Sequence, residues 1–180
     1  GNFVDPNVFI DKYGCDAYRY FVLRQISLGD DGDFSEKSFQ DRYNSDLANN
    51  FGNLISRTFS MIEKYSLQNV KPQSNEDTSL GKLQKDFAEK FTQAIEKINL
   101  TEGLNLIWAL VSEANKTIQD EKPWTLYKTD EQKLKLVFEN LLSAIVTISE
   151  AISPFMPETS KELKKIIAGK KVEKPLFMRQ

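Results

Sequence analysis

Side chains of one kind return every three or four positions through long windows of this chain, a period that suits helices and defeats strands. Leu47, Phe51, Leu54, Ile55, Thr58 and Ile62 make one stripe. Leu104, Ile107, Trp108, Val111, Ala114 and Ile118 make a second, and Leu134, Val137, Leu141, Ile145, Ile148 and Ile152 a third. A further helix is expected from about Asp77 to Ile98. Each stripe is too narrow to be stable alone and must be covered by its neighbours. Short connections between such helices predict an all-α fold, an antiparallel up-and-down bundle of four to five helices.

The stops and starts fit that plan. Asp5-Pro6 is a helix start, because Asp5 caps free N–H groups and Pro6 loses nothing at the first helical position. Gly14 offers a left-handed stop, and a second helix is expected from about Asp16 to the run Gly29-Asp30-Asp31-Gly32-Asp33. That run lacks the closing Glu of a calcium-binding EF-hand loop, and a plain turn with Ser35 capping the next helix is the expectation. From Ser35 to about Leu67 the pattern predicts one long helix, or two broken near Tyr43. Pro72, Ser74 and Asn75 mark a linker. Pro123 ends the helix before it by forcing Lys122 out of helical geometry. Thr129-Asp130-Glu131-Gln132 fits a capping box, and Pro154 and Pro157 bracket a turn before a short helix ending near Gly169. Val4 and Leu176-Phe177 are the only candidate strand residues. Residues 1–42 form a small, mostly helical N-terminal element and 43–180 the bundle.

Composition removes whole classes of function. Among 180 residues there is no histidine and one cysteine, Cys15, so histidine-based nucleophile systems, N/S zinc sites and an internal disulfide are all excluded. Cys15 is expected to be a small buried residue, and Trp108, inside its stripe, a core residue. No apolar run approaches the roughly 18 residues of a membrane span. A net charge of −2 argues against salt-driven binding to long nucleic acid, yet it permits recognition of a few unpaired bases by stacking and hydrogen bonds. No catalytic residue and no metal ligand is expected in this chain.

The literal residues go further. Asp5-Pro6, Tyr13-Gly14-Cys15-Asp16, Arg19-Tyr20-Phe21 and Gly29 through Ser35 closely resemble the segment that follows the KMSKS loop of the methionyl-tRNA synthetases. Arg42-Tyr43-Asn44-Ser45-Asp46-Leu47-Ala48-Asn49 and Gly52-Asn53-Leu54-Ile55-Ser56-Arg57 are similar to that family's first anticodon-domain helix. Ala114-Asn115-Lys116, Pro123-Trp124, Pro154-Phe155-Met156-Pro157-Glu158-Thr159 and Pro175-Leu176-Phe177-Met178-Arg179 continue the match in order, with Met178 where proline is commoner. Departures are Ser27-Leu28 in place of Pro-Phe, Thr117 in place of an aromatic and Gln119 in place of a carboxylate.

The resemblance implies that residues 1–42 contact the tRNA stem and that 43–180 read the CAU anticodon of methionine tRNA. Asn53 and Arg57 match the pair that reads the first anticodon base. Trp124 matches the aromatic that stacks on it, and Asn115 is placed on the same surface. Opening Gly1-Asn2 is similar to the pair directly after KMSKS, so the catalytic fold is implied upstream, where ATP and magnesium would drive methionine attachment. This fragment itself is expected to hold no cofactor. A cytoplasmic location, without membrane contact, goes with that family.

The chemistry agrees without depending on the family. An Asn amide both donates and accepts, an Arg brings donors and charge, and four residues of helix put the two side by side. Two other readings stay open: the anticodon domain of a class I synthetase for Leu, Ile, Val or Cys, and a helical scaffold that binds protein. Taken alone, Asn53 and Arg57 are more often a solvated face, and Trp124 a core aromatic. A scaffold predicts Trp124 buried, or set in an apolar patch away from Asn53 and Arg57.

Overall fold

In the computed structural model, residues 5–25 and 35–180 are described, and within them the secondary structure is helical without a strand. Asp5 accepts from the Asn7 N–H at 2.9 Å and opens α1 (Pro6–Tyr13), which Gly14 ends at φ +88°. Helix α2 (Cys15–Gln25) follows at once. Val4 and the acidic run after Leu28 lie outside the described residues.

Ser35 caps the next helix by a reciprocal box with Ser38: each hydroxyl accepts from the other's backbone N–H, at 3.1 and 3.2 Å. From there one continuous rod runs to Lys64. It comprises α3 (Glu36–Arg42), a ten-residue π-helical segment (Tyr43–Gly52) and α4 (Asn53–Lys64). Tyr43 is therefore where the winding widens, not where the helix breaks. Long π-helical runs are rare, and this one has a brace. Phe177 in the C-terminal tail packs its ring against Tyr43 and Phe51. The Asn44 amide pairs with both backbone groups of Gln180, at 3.0 and 3.1 Å. The tail thus lies along the rod as an irregular strap, and Leu176-Phe177 is not a strand.

The other elements are α5 (Ser79–Glu96), α6 (Leu100–Glu121), α7 (Pro123–Thr129), α8 (Glu131–Ala151) and α9 (Pro157–Gly169). Helices α4, α5, α6 and α8 alternate in direction and pack their stripes together. Leu54, Ile55, Leu104, Ile107, Leu141, Ile145 and Ile148 are completely buried between them. Such a core follows from the helical period, since burying each Leu or Ile stabilises by about 1.5–3 kcal/mol. Asn140 is one of the polar residues buried inside it. Its Oδ1 accepts from Asn75 N–H and Gln84 Nε2, and its Nδ2 donates to Thr78 Oγ1, so a buried amide pins the linker before α5. The linker runs so close to α5 that a Cβ on Gly81 would stand 1.8 Å from the Asn75 carbonyl oxygen.

Helices α1 and α2 close one end of the bundle, where α6 begins and α8 ends. Tyr20 stacks on Trp108 at 4.3 Å, and Arg19 donates to the carbonyls of Phe155 and Pro154 at 2.7 and 2.8 Å. Asp16 reaches α9 and accepts from both the backbone N–H and the hydroxyl of Thr159, at 2.6 and 2.8 Å. Trp108 is buried, as its stripe requires. Two expectations are corrected. Cys15 is exposed, because as the first residue of α2 it precedes the buried pair Asp16 and Ala17. Asp130, not Thr129, caps α8 by accepting from Lys133 N–H at 2.9 Å; Thr129 instead donates to the Thr125 carbonyl inside α7.

Candidate nucleic-acid interface

Helix α4 buries Leu54, Ile55, Thr58, Phe59 and Ile62, so the opposite stripe is left to Asn53, Arg57, Ser60 and Lys64. Asn53 and Arg57 are one turn apart and Lys64 lies two further turns along the same line, as residues seven apart do. Asn53, Ser60 and Lys64 are exposed and Arg57 is half-buried. Asn53 also borders a shallow groove with Asn49, Ser56 and the tail residues Pro175, Phe177 and Arg179.

The second part of the surface is the corner where α6 meets α7. Lys122 ends α6 at φ 48°, ψ 64°, in the left-handed region. A non-glycine residue there stores roughly 1–3 kcal/mol of strain, which the surrounding structure must offset. The reason is local: Pro123 occupies the first position of α7 and excludes helical geometry before it. Pro123 is buried, which anchors the corner, and Trp124 beside it is 46% exposed. Such exposure does not fit the buried tryptophan of the scaffold reading.

Hydrogen bonds between α6 and the rod fix how the two parts sit. Asn115 Nδ2 donates to the carbonyl and the side-chain oxygen of Asn50, at 3.0 and 2.8 Å, and Asn50 Nδ2 donates to Ser112. Farther up, the rings of Tyr65 and Tyr127 stack at 4.5 Å. The rod and α6 therefore run parallel. With Asn50 level with Asn115, the same seven residues of climb bring one helix to Arg57 and the other to Lys122, next to Trp124. The structure sets Asn53 and Arg57 together on adjacent turns, and by the same count the corner at Lys122 lies level with Arg57 on the neighbouring helix.

Three of these residues share one property. Among the described residues, the side chains of Asn53, Arg57 and Trp124 have no hydrogen-bond, ion-pair or ring partner. Asn115, by contrast, is engaged. Its amide nitrogen also donates to the Val111 carbonyl, and its oxygen is shut away from solvent without a donor. Asn115 thus joins α6 to the rod behind the surface. Glu121, beside the corner, pairs with Lys133 at 2.7 Å, which leaves Lys122, Lys128, Lys64 and Arg57 as cations around the exposed rings.

Sequence reasoning missed Asn50, Tyr65 and Tyr127. Tyr127 had a usable signal, since it stands three residues after Trp124 on the same short helix. Asn50 and Tyr65 had none, because their partners lie 65 and 62 positions away.

Comparisons with known proteins bear on the whole chain. Residues 1–59 match the model of class I tRNA synthetases (M), and residues 68–178 match that of the anticodon binding domain of methionyl tRNA ligase. The methionine–tRNA ligase of Caldanaerobacter subterraneus subsp. tengcongensis is 44% identical over 169 residues, 91% of this chain and 26% of that protein. That of Clostridium acetobutylicum is 39% identical over the same shares. The crystal structure of Mycobacterium tuberculosis methionyl-tRNA synthetase bound by methionyl-adenylate superposes with a TM-score of 0.80 at 30% identity, covering 92% of this chain and 34% of that one. The chain spans about a quarter of the length of the curated relatives it matches. On the helical bundle, the ordered motifs and these matches together, the chain belongs to the family of methionyl-tRNA ligase anticodon-binding domains.

Proposed function

We propose that this chain is the tRNA-reading part of a methionine–tRNA ligase and that Asn53, Arg57 and Trp124 recognise the first base of the CAU anticodon. The observation that carries the reading is one amide and one guanidinium on adjacent turns of α4, with a half-exposed indole at the neighbouring corner, none of the three with a side-chain partner among the described residues. An anticodon base is splayed from its loop, so its pairing edge is open to side chains. Cytosine offers an amino donor beside two acceptors. The Asn53 amide complements the amino group and ring nitrogen, while Arg57 donates to the remaining carbonyl or to a neighbouring phosphate. Trp124 supplies the stacking face. Asn115 acts behind them by holding α6 against the rod.

Residues 1–42 form the stem-contact element in this reading, and 43–180 the anticodon bundle. Methionine activation with ATP and magnesium belongs to the catalytic domain upstream, in a cytoplasmic enzyme. In the described part no helix is long and apolar enough to cross a membrane.

A stem-loop carrying CAU, titrated while tryptophan fluorescence is followed, tests the reading. Saturable quenching that is lost in Trp124→Phe, and that weakens about five-fold or more when the first anticodon base is changed from C to G, is expected. Equal affinity for a scrambled anticodon would overturn it.

A further inference from the structure

Beyond one recognised base, the α7 corner carries a second aromatic platform, and we infer that Tyr127 stacks on a loop base adjoining the one held by Trp124. The inference rests on the anticodon-reading proposal and extends it from one base to two. Four features support it. Tyr127 is 51% exposed although it is a large ring on a helix that already has Pro123 and Leu126 for its core contact. Its position one turn after Trp124 puts both rings on neighbouring turns of one face. Its inner face is already stacked on Tyr65, at 4.5 Å and 20° between planes, and Tyr65 is itself only 8% exposed. The outer face remains bare.

That inner stack has a consequence for binding. A free tyrosine loses rotamer freedom when it clamps a base, whereas a ring already held against Tyr65 loses little, so its stacking converts more fully into affinity. Cations surround the pair. The Lys64 ammonium lies 5.8 Å from the Tyr65 ring centre, and Lys122 and Lys128 flank Trp124 and Tyr127 along the chain. Half-exposed rings ringed by lysines suit the flat bases and phosphates of a single-stranded loop better than an apolar protein surface. Arg57 and Lys64, seven residues apart on α4, extend the same charge from the first-base pocket to the Tyr65–Tyr127 stack.

A double-mutant cycle on the 180-residue chain and the CAU stem-loop tests this. Tyr127→Leu keeps an apolar contact with Tyr65 but removes the aromatic face, and Tyr127→Phe restores the face. The loops are the parent and versions made abasic either immediately 5′ or immediately 3′ of the first anticodon base. Tyr127→Leu is expected to weaken parent-loop binding roughly five-fold, with Tyr127→Phe near the parent. The loss should disappear on one of the two abasic loops, which identifies the base. A loss that persists on both abasic loops means that Tyr127 acts only by packing on Tyr65, and it overturns the inference. So does an unchanged affinity in Tyr127→Leu while Trp124→Leu still impairs binding, a result that leaves first-base reading intact. Absence of saturable binding by the parent chain overturns both.

Discussion

The two ends of this bundle use the same kinds of residue in opposite ways. At the end closed by α1 and α2, several polar groups reach partners far away in sequence: Asp16 on Thr159, Arg19 on Phe155 and Pro154, Thr101 on the Leu23 carbonyl, Tyr20 on Asp46. Aromatic rings there pack in a closed group, Phe39 against Phe9, Tyr13 and Phe21 at 4.7–4.9 Å. At the α6–α7 corner and along α4, Asn53, Arg57 and Trp124 have no such partners, and Tyr127 has one face free. An engaged side chain stiffens a joint. An unengaged one keeps its hydrogen bonds or its ring for something that arrives from solution.

This contrast separates stability from binding, and substitutions can break it. The largest expected effect is at the closed end. Phe39→Ala opens a cavity among three rings and should destabilise by about 3–5 kcal/mol. For a chain of this size that lowers Tm by roughly 6–20 °C in a thermal melt followed by circular dichroism. Stem-loop affinity measured well below the melt should stay within two-fold of the parent, by about the experimental scatter of such values. A large loss of affinity in the still-folded variant would show that the two ends are coupled.

Asp16→Ala comes next. Helix α9 has no local cap, since Met156 precedes Pro157 and offers no oxygen. Asp16 performs that task from α2, and its removal leaves the Thr159 N–H and hydroxyl buried without an acceptor. A cost of about 2–3 kcal/mol follows, read as a shift of the urea midpoint without a change in slope. Asp16→Asn should recover part of it, because an amide oxygen still accepts.

Trp124→Leu sharpens the comparison from the other side. Stability should change by no more than about 0.5 kcal/mol, as for a surface site, while stem-loop affinity falls about five-fold or more. Destabilisation by several kcal/mol would instead make Trp124 a packing residue and remove the contrast.

The sequence showed the joint and the corner unequally. The long helices, the Asp5 and Ser35 caps, the break at Lys122-Pro123 and the buried Trp108 follow from local rules: period, capping chemistry and the geometry before proline. The short helix Pro123–Thr129 is too brief to show a period of its own. Asn53 and Arg57 are legible as neighbours because a helix fixes their spacing. Their lack of partners is not legible, since that depends on what the rest of the fold brings near. The same holds for Asp16, which in sequence looks like a helix start and in space caps α9 143 residues away. Cys15 and Thr129 were misplaced by one step of register, where the burial pattern and the competing cap Asp130 decide between adjacent residues. The π-helical winding of Tyr43–Gly52 left no local mark either. Its brace comes from Phe177 and Gln180, at the far end of the chain.

The smallest effect concerns pH, and it belongs to the closed end alone. Tyr20 is buried against Trp108, and that burial, with the Asp46 carboxylate at 2.7 Å, pushes its hydroxyl far above the usual tyrosine range. The folded chain therefore keeps this proton where the unfolded chain, ionising near 10, releases it. A folded pKa raised above the unfolded one means full stability below about pH 10 and a progressive loss above it, at most about 1.4 kcal/mol per pH unit from this group. Urea melts at pH 9 and pH 11 should show the parent losing on the order of 1 kcal/mol more than Tyr20→Phe, which has no proton to release. Equal losses in the two proteins would mean that Tyr20 ionises in place, with water reaching the Tyr20–Asp46 contact. The closed end would then be less closed than its packing shows, and Trp124 would no longer be distinguished by its access to solvent alone.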